Sequence, residues 1–166
     1  KDLSSVRLCI SAAEVLSEEI AKAWRDQFGH AIVEGLGSTQ LLHIYLSNTE
    51  REQKSGAAGK PVPGYAVRLE TAEGLEARAG EEGVMVVCGL SGAQYYWDRP
   101  QNTAETMRKG WIHTGDRFIC DHDGFYFFRG RADDLVKVSG QWVYPLEIEL
   151  VLNEHPMVAT SWGQAL

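Results

Sequence analysis

The 166 residues are 44% hydrophobic and 10% aromatic, enough for one domain-sized core or for two small cores sharing a boundary, which excludes a disordered chain. The net charge of −7 and the lack of any dense Lys/Arg run argue against a nucleic-acid partner. No apolar stretch approaches the ~20 residues of a membrane span, and the opening KDLSSVRLC is no signal peptide, so the chain reads as soluble and without a membrane partner.

Cys9, Cys88 and Cys120 are odd in number, and none has a Cys or His at metal-ligand spacing. They read as small core residues, which fits a reducing cytoplasm.

In chain order, Val6 to Ile10 is an apolar strand, and Ser11-Ala12-Ala13-Glu14 turns from it toward a helix capped by Ser17. Glu18 and Glu19 complement the helix dipole there, Ile20, Ala23, Trp24 and Phe28 share one face, and Gly29 suits a left-handed stop. Ala31 to Val33 returns as a strand. This strand, helix, strand unit belongs to a parallel sheet, in which ligands collect at the carboxyl ends of the strands. SAAE and EGLGSTQ (34–40) both lie at such ends. The glycines of EGLGSTQ would let backbone approach a ligand closely, and hydroxyls and an amide follow them; a plain tight-turn loop has the same composition, so both readings stand at this point. His43, alone in LLHIYLS, reads as a satisfied core residue before it reads as a catalyst.

From Gly59 onward short strands alternate with glycine turns and no long helix intervenes, the pattern of a small antiparallel barrel or sandwich. Tyr65 to Leu69 and Gly83 to Cys88 are strands, and Thr103 caps a helical piece over Ala104 to Lys109. Arg117 to Cys120 and Phe125 to Phe128 pair across Asp121-His122-Asp123-Gly124, with HTGD as an acidic turn before them. Leu135 to Val138 and Trp142 to Tyr144 form a second hairpin turning on Ser139-Gly140-Gln141. Pro145 then starts a helix along which Ile148, Val151 and Leu152 repeat, with His155-Pro156 as its end. Val158 to Leu166 begins a unit that does not finish, so the chain reads as a fragment.

SAAE, GLGSTQ, LLHIYLSN, GKPVPGY, HTGD and GRADDLVKVSGQWVYPLEIE occur in the order found in the adenylate-forming superfamily of acyl- and aryl-CoA ligases. The chain resembles that superfamily, and its benzoate-CoA ligase branch most. The resemblance implies a mixed α/β fold with four parts: a βαβ part of the N-terminal domain (1–58), an antiparallel β-barrel subdomain (59–129), a hinge (130–134) and the start of a mobile C-terminal domain (135–166). It implies a two-step reaction, in which a carboxylate and ATP give an acyl-AMP and coenzyme A then displaces AMP. Aromatic carboxylate, ATP and CoA are the partners, with Mg²⁺ as cofactor.

By the same resemblance, Asp116 takes the ribose hydroxyls and Arg131 steadies ribose and phosphate. Thr39 contacts phosphate, Glu34 reads the adenine amino group, and Leu36 replaces the usual aromatic platform. Gly35, Gly37 and Ser38 complete that wall, while Ala13 and Glu14 line the other side of the base. His43 borders the acid pocket, Asp133 is the hinge, and Lys137, Ser139, Gly140 and Trp142 face CoA. Gln40 departs from the pattern: it stands where a glutamate usually helps hold Mg²⁺, and an uncharged amide holds a hard cation less well. The glycine-rich phosphate loop and the adenylation lysine are expected outside the chain, so the chain alone is expected to make no acyl-CoA. A non-catalytic nucleotide-binding module and an adenylate-former loading a carrier protein are the alternatives. An exposed half-sheet implies self-association or a complementary chain.

Overall fold

A computed structural model describes residues 2–13, 16–134, 136–138, 141–143, 145–153, 155, 157–158 and 161. Strand β1 (Cys9–Ala12) and β2 (Ile32–Gly37) pair in parallel through α1 (Glu18–Phe28). The first strand lies two to three residues later than its apolar run predicts. The helix begins as its sequence dictates: Ser17 Oγ accepts from Ile20 N at 3.3 Å, and Gly29 closes it with φ 73°. Trp24 and Phe28 hold its inner face with ring centroids 4.5 Å apart. Ile20 is 60% exposed and Ala23 is also exposed, so only part of the apolar stripe expected for α1 is covered.

Beyond β2 the sheet is antiparallel. β3 (Ile44–Ser47) pairs with β2 and β4 (Ala57–Pro61), and β4 then pairs with β9 (Tyr126–Arg131). β9 pairs with β8 (Trp111–Cys120), β8 with β6 (Glu82–Gly89), and β6 with β5 (Tyr65–Glu70) at the far edge. A boundary at 58/59 therefore falls inside β4, and one hydrogen-bonded sheet runs through both regions. Leu41, Tyr45, Leu46, Leu69, Met85, Val87, Ile112, Phe118 and Tyr126 form the core, drawing residues from both sides of that boundary.

Asn48, at the end of LLHIYLSN, is 4% exposed and stitches this junction. Its backbone N donates to Glu34 O at 2.9 Å, its Nδ2 to Ala57 O at 2.6 Å, and its Oδ1 accepts from Lys54 N at 3.2 Å. Asn48→Ala would strand a buried carbonyl and an amide, and should lower stability by about 1–3 kcal/mol in a denaturant titration. A midpoint equal to that of the unaltered protein would contradict the role.

Several elements differ from the sequence reading. The helix near residue 103 is α2 (Pro100–Thr106), with Pro100 in its first turn; Thr103 lies inside it, and Thr103 Oγ1 accepts from Tyr96 N and donates to Arg99 O, each at 2.9 Å. Residues after it form β7 (Met107–Arg108), which folds back on β8 through Lys109 and Gly110 at φ 52° and 83°, a two-residue hairpin turn with both centres left-handed. HTGD is not a turn but part of β8, which with β9 runs longer on the Asp116 and Arg131 side than predicted. The three cysteines are free but only half-buried. His43 is exposed, because Leu42 before it adopts φ 65° and carries the chain out of the core.

The second hairpin is β10 (Val136–Val138) with β11 (Gln141–Val143), in register Lys137↔Trp142; Leu135, Ser139, Gly140 and Tyr144 lie outside the described residues. Helix α3 (Pro145–Asn153) starts at Pro145 as expected, and its Ile148, Val151 and Leu152 are 50%, 67% and 46% exposed.

Candidate active site

The register of β8 on β9 sets Asp116 directly opposite Arg131. Arg131 Nη1 donates to Asp116 Oδ1 at 3.2 Å, while its Nε and Nη2 donate to Asp133 Oδ1 and Oδ2 at 2.8 and 3.1 Å. One guanidinium thus spans two carboxylates, using the fixed fork that lysine lacks. Gly115 makes this approach possible: it sits at φ 77°, and a Cβ there would lie 3.0 Å from Arg131 Nη2. Gly115 O also accepts from Ala132 N at 2.8 Å, and Thr114 Oγ1 accepts from Asp116 N and donates to Met85 O, both at 3.1 Å. The aspartate is thereby fixed by its own strand β8 and by its neighbours β9 and β6.

The two acids have opposite environments. Burial pushes the Asp116 carboxyl above the usual aspartate range, with Arg131 opposing. Asp133 is held below it by the hydrogen bonds from Arg131. Among the described residues Asp116 Oδ2 takes no hydrogen bond, so one oxygen of a largely desolvated carboxylate is free for a ligand donor. Asp133 is 68% exposed in its side chain, and the arginine ties it to Asp116 across the 130–134 segment.

EGLGSTQ lies further along the same sheet, with β3 and β4 between it and β9: Glu34 to Gly37 end β2, and Ser38 leads into a single 3₁₀ turn, Thr39–Leu41. Two glycines are required by close packing, since a Cβ at Gly35 would meet Ile44 at 3.1 Å and one at Gly37 would meet His43 O at 2.7 Å. Leu36 is half-buried against the core. Glu34 Oε1 accepts from Leu16 N at 3.2 Å and so fastens the loop after β1, and burial pushes the Glu34 carboxyl up against that bond. Ala13 enters the same loop at φ 80°, exposed, and Glu14 lies outside the described residues. Thr39 is exposed, and the Ser38 hydroxyl has no partner among the described residues.

Tyr45 links the two regions and was missed in the sequence, where it reads as one apolar strand residue among several. It is fully buried, its hydroxyl has no partner among the described residues, and burial together with the Asp116 charge raises its pKa. A second missed residue is Tyr96, whose hydroxyl accepts from Gln40 Nε2 at 2.6 Å across 56 positions of sequence. No local pattern announces that pairing.

Of the remaining candidates, His43 is exposed with its Nδ1 3.3 Å from Ile44 O. Lys137 and Trp142 are cross-strand partners, and Ser139 and Gly140 lie outside the described residues. For Mg²⁺ the donor set is poor. Gln40 is neutral with its amide engaged, and no group of three or more His, Cys, Asp or Glu among the described residues could hold a metal ion.

Residues 1–97 match the AMP-binding enzyme family. The chain is 42% identical over 154 residues to the benzoate–CoA ligase of Thauera aromatica, covering 92% of this chain and 29% of that protein. Its fold matches the anthranilate CoA ligase AuaEII solved with anthranoyl-AMP, with TM-score 0.87 and 40% identity over 96% of this chain and 31% of that one. It also matches a benzoate CoA ligase from Burkholderia xenovorans LB400, with TM-score 0.82 and 38% identity over 91% of this chain and 30% of the other. The chain therefore spans about three tenths of the length of these relatives.

Proposed function

The chain belongs to the AMP-binding enzymes, and on that premise we propose that its parent protein is an ATP-dependent, benzoate-type aromatic-acid CoA ligase working in the cytoplasm. The observation that carries this reading is the Asp116–Arg131 pair, a half-buried carboxylate beside a cation, with one oxygen that takes no hydrogen bond among the described residues. Two carboxylate oxygens suit the vicinal hydroxyls of a ribose, and the neighbouring guanidinium suits the phosphate that follows it.

The first step joins a carboxylate oxygen of the acid to the α-phosphorus of ATP and breaks the bond to pyrophosphate. In the second, the sulfur of CoA attacks the acyl carbon, AMP leaves with the bonding pair, and the thiol proton passes to solvent. This chain's share is positioning. Asp116 holds ribose, Arg131 steadies ribose and phosphate, and Thr39 reaches the phosphate from its exposed turn. Gly35, Leu36, Gly37 and Ser38 form one wall of the base site, with Ala13 and Glu14 on the other side. Glu34 meets the adenine amino group with the oxygen that Leu16 N leaves free. His43, exposed beside that wall, borders the aromatic acid.

Asp133 is the hinge position, and its exposed carboxylate, held by Arg131, couples the swing to the nucleotide site. Lys137, Ser139, Gly140 and Trp142 meet the pantetheine arm. The residues described do not fit a Mg²⁺ site at Gln40. In the full-length protein, benzoate-dependent exchange of labelled pyrophosphate into ATP is the expected result. Exchange that ignores every aromatic acid offered, while nucleotide still binds, would favour a binding module.

A further inference from the structure

We propose that Gln40 and Tyr96 act together as hydrogen-bond donors to an anionic phosphate oxygen of the bound nucleotide, taking directly the charge that a carboxylate at position 40 would meet through a cation. The proposal rests on the nucleotide reading above, which puts phosphate at Thr39, the residue before Gln40 in the same 3₁₀ turn.

Counting hydrogens gives the polarity of the pair. A glutamine amide and a phenol carry three polar hydrogens, and the 2.6 Å bond between them uses one. Two remain to be donated outward. This holds whichever way the amide is turned: Nε2 donating to Oη leaves the phenol proton and one amide proton, and the reverse leaves both amide protons. A glutamate in place of Gln40 has no proton of its own and would take the phenol's. The pair would then offer only a carboxylate, which suits a cation and repels a phosphate oxygen. One atom of difference at Gln40 thus converts the site from acceptor to donor.

The rest of the contact makes the side chains free to serve a ligand. Ala93 N donates to Gln40 O at 2.7 Å and Ser91 Oγ to Leu41 O at 2.7 Å, so backbone carbonyls already hold the 91–96 segment against the turn. Tyr65 Oη stands 2.7 Å from Ser91 Oγ, and Tyr96 N donates to Thr103 Oγ1, fixing both ends of that segment. The Gln40 to Tyr96 side-chain bond is an addition to a tether that stands without it. Both side chains are half-buried, where a charge-assisted hydrogen bond is stronger than in open solvent.

The test is calorimetric titration of the full-length protein with ATP, without carboxylate substrate, once in EDTA and once in Mg²⁺, for the unaltered protein and for Tyr96→Phe, Gln40→Glu and Asp116→Ala. The unaltered protein should bind metal-free ATP, and Tyr96→Phe should bind it about tenfold more weakly, with the same thermal midpoint. Gln40→Glu should lose at least about tenfold in EDTA and recover with Mg²⁺, gaining a metal dependence the unaltered protein lacks. Metal-free ATP bound by either variant as tightly as by the unaltered protein overturns the donor pair. If Asp116→Ala also binds ATP unchanged, the nucleotide site itself is misassigned, which separates the failure of this proposal from the failure of the reading beneath it.

Discussion

Replacing Asp116 by alanine in the full-length protein is expected to weaken adenosine-nucleotide binding by at least about 10- to 100-fold, the loss of one hydrogen bond to a charged acceptor at about 1.5–3 kcal/mol. The fold should survive. Arg131 keeps its two bonds to Asp133, and removing a largely desolvated carboxylate relieves a burial that already raises its pKa. Asp116→Asn, which keeps one acceptor oxygen, should fall between. The sign of the pH dependence follows from the same shift. Asp116 must be ionised to accept from two hydroxyls, and its pKa lies above the ordinary 3.8, so binding should begin to fail on acidification sooner than an exposed aspartate would allow. Adenosine and AMP should lose affinity alike in Asp116→Ala. A variant that loses AMP but not adenosine would place the aspartate at the phosphate instead.

The second large effect is structural. Gly59→Ala should destabilise the protein by more than about 4 kcal/mol, the range reserved for a clash the structure cannot relax. A Cβ at Gly59 would sit 1.9 Å from Ser47 C and 2.3 Å from Asn48 N, both backbone atoms, and the residue is at φ 107°. β4 would have to leave β3, and with it the junction between EGLGSTQ and the Asp116 strand pair. Gly64→Ala is the control, since φ 98° carries the same kind of backbone penalty but the Cβ meets nothing within 4 Å. It should lose only about 1–2 kcal/mol. Thermal unfolding of the two variants side by side separates contact from conformation, and equal losses would mean that β4 yields easily.

How much of this was legible in the sequence depended on distance along the chain. The α1 cap and its glycine stop are set by residues three or four apart, and Ser17 and Gly29 do what their types dictate. The Asp-Gly turn before β9 was equally local. Lys109 was not readable as a hairpin centre, because lysine seldom adopts a left-handed φ, and so β7 was taken for helix. Asp116 and Arg131 were each singled out. Their pairing depends on the β8 and β9 register, which a bulge between Arg117 and Phe118 shifts and no residue pattern shows. His43 illustrates the opposite error: an apolar neighbourhood in sequence said core, and a left-handed Leu42 turned it outward. The Gln40 to Tyr96 bond spans a separation over which only the folded sheet brings residues together.

The most direct measurement is AMP release by the full-length protein supplied with ATP and benzoate or a substituted benzoate, with and without CoA. Catalytic AMP release that requires both the aromatic acid and CoA is the predicted result, with Asp116→Ala slowed in parallel with its loss of nucleotide affinity. AMP release independent of any aromatic acid, or nucleotide binding with no AMP formed under any combination, would contradict the ligase and leave a nucleotide-binding module.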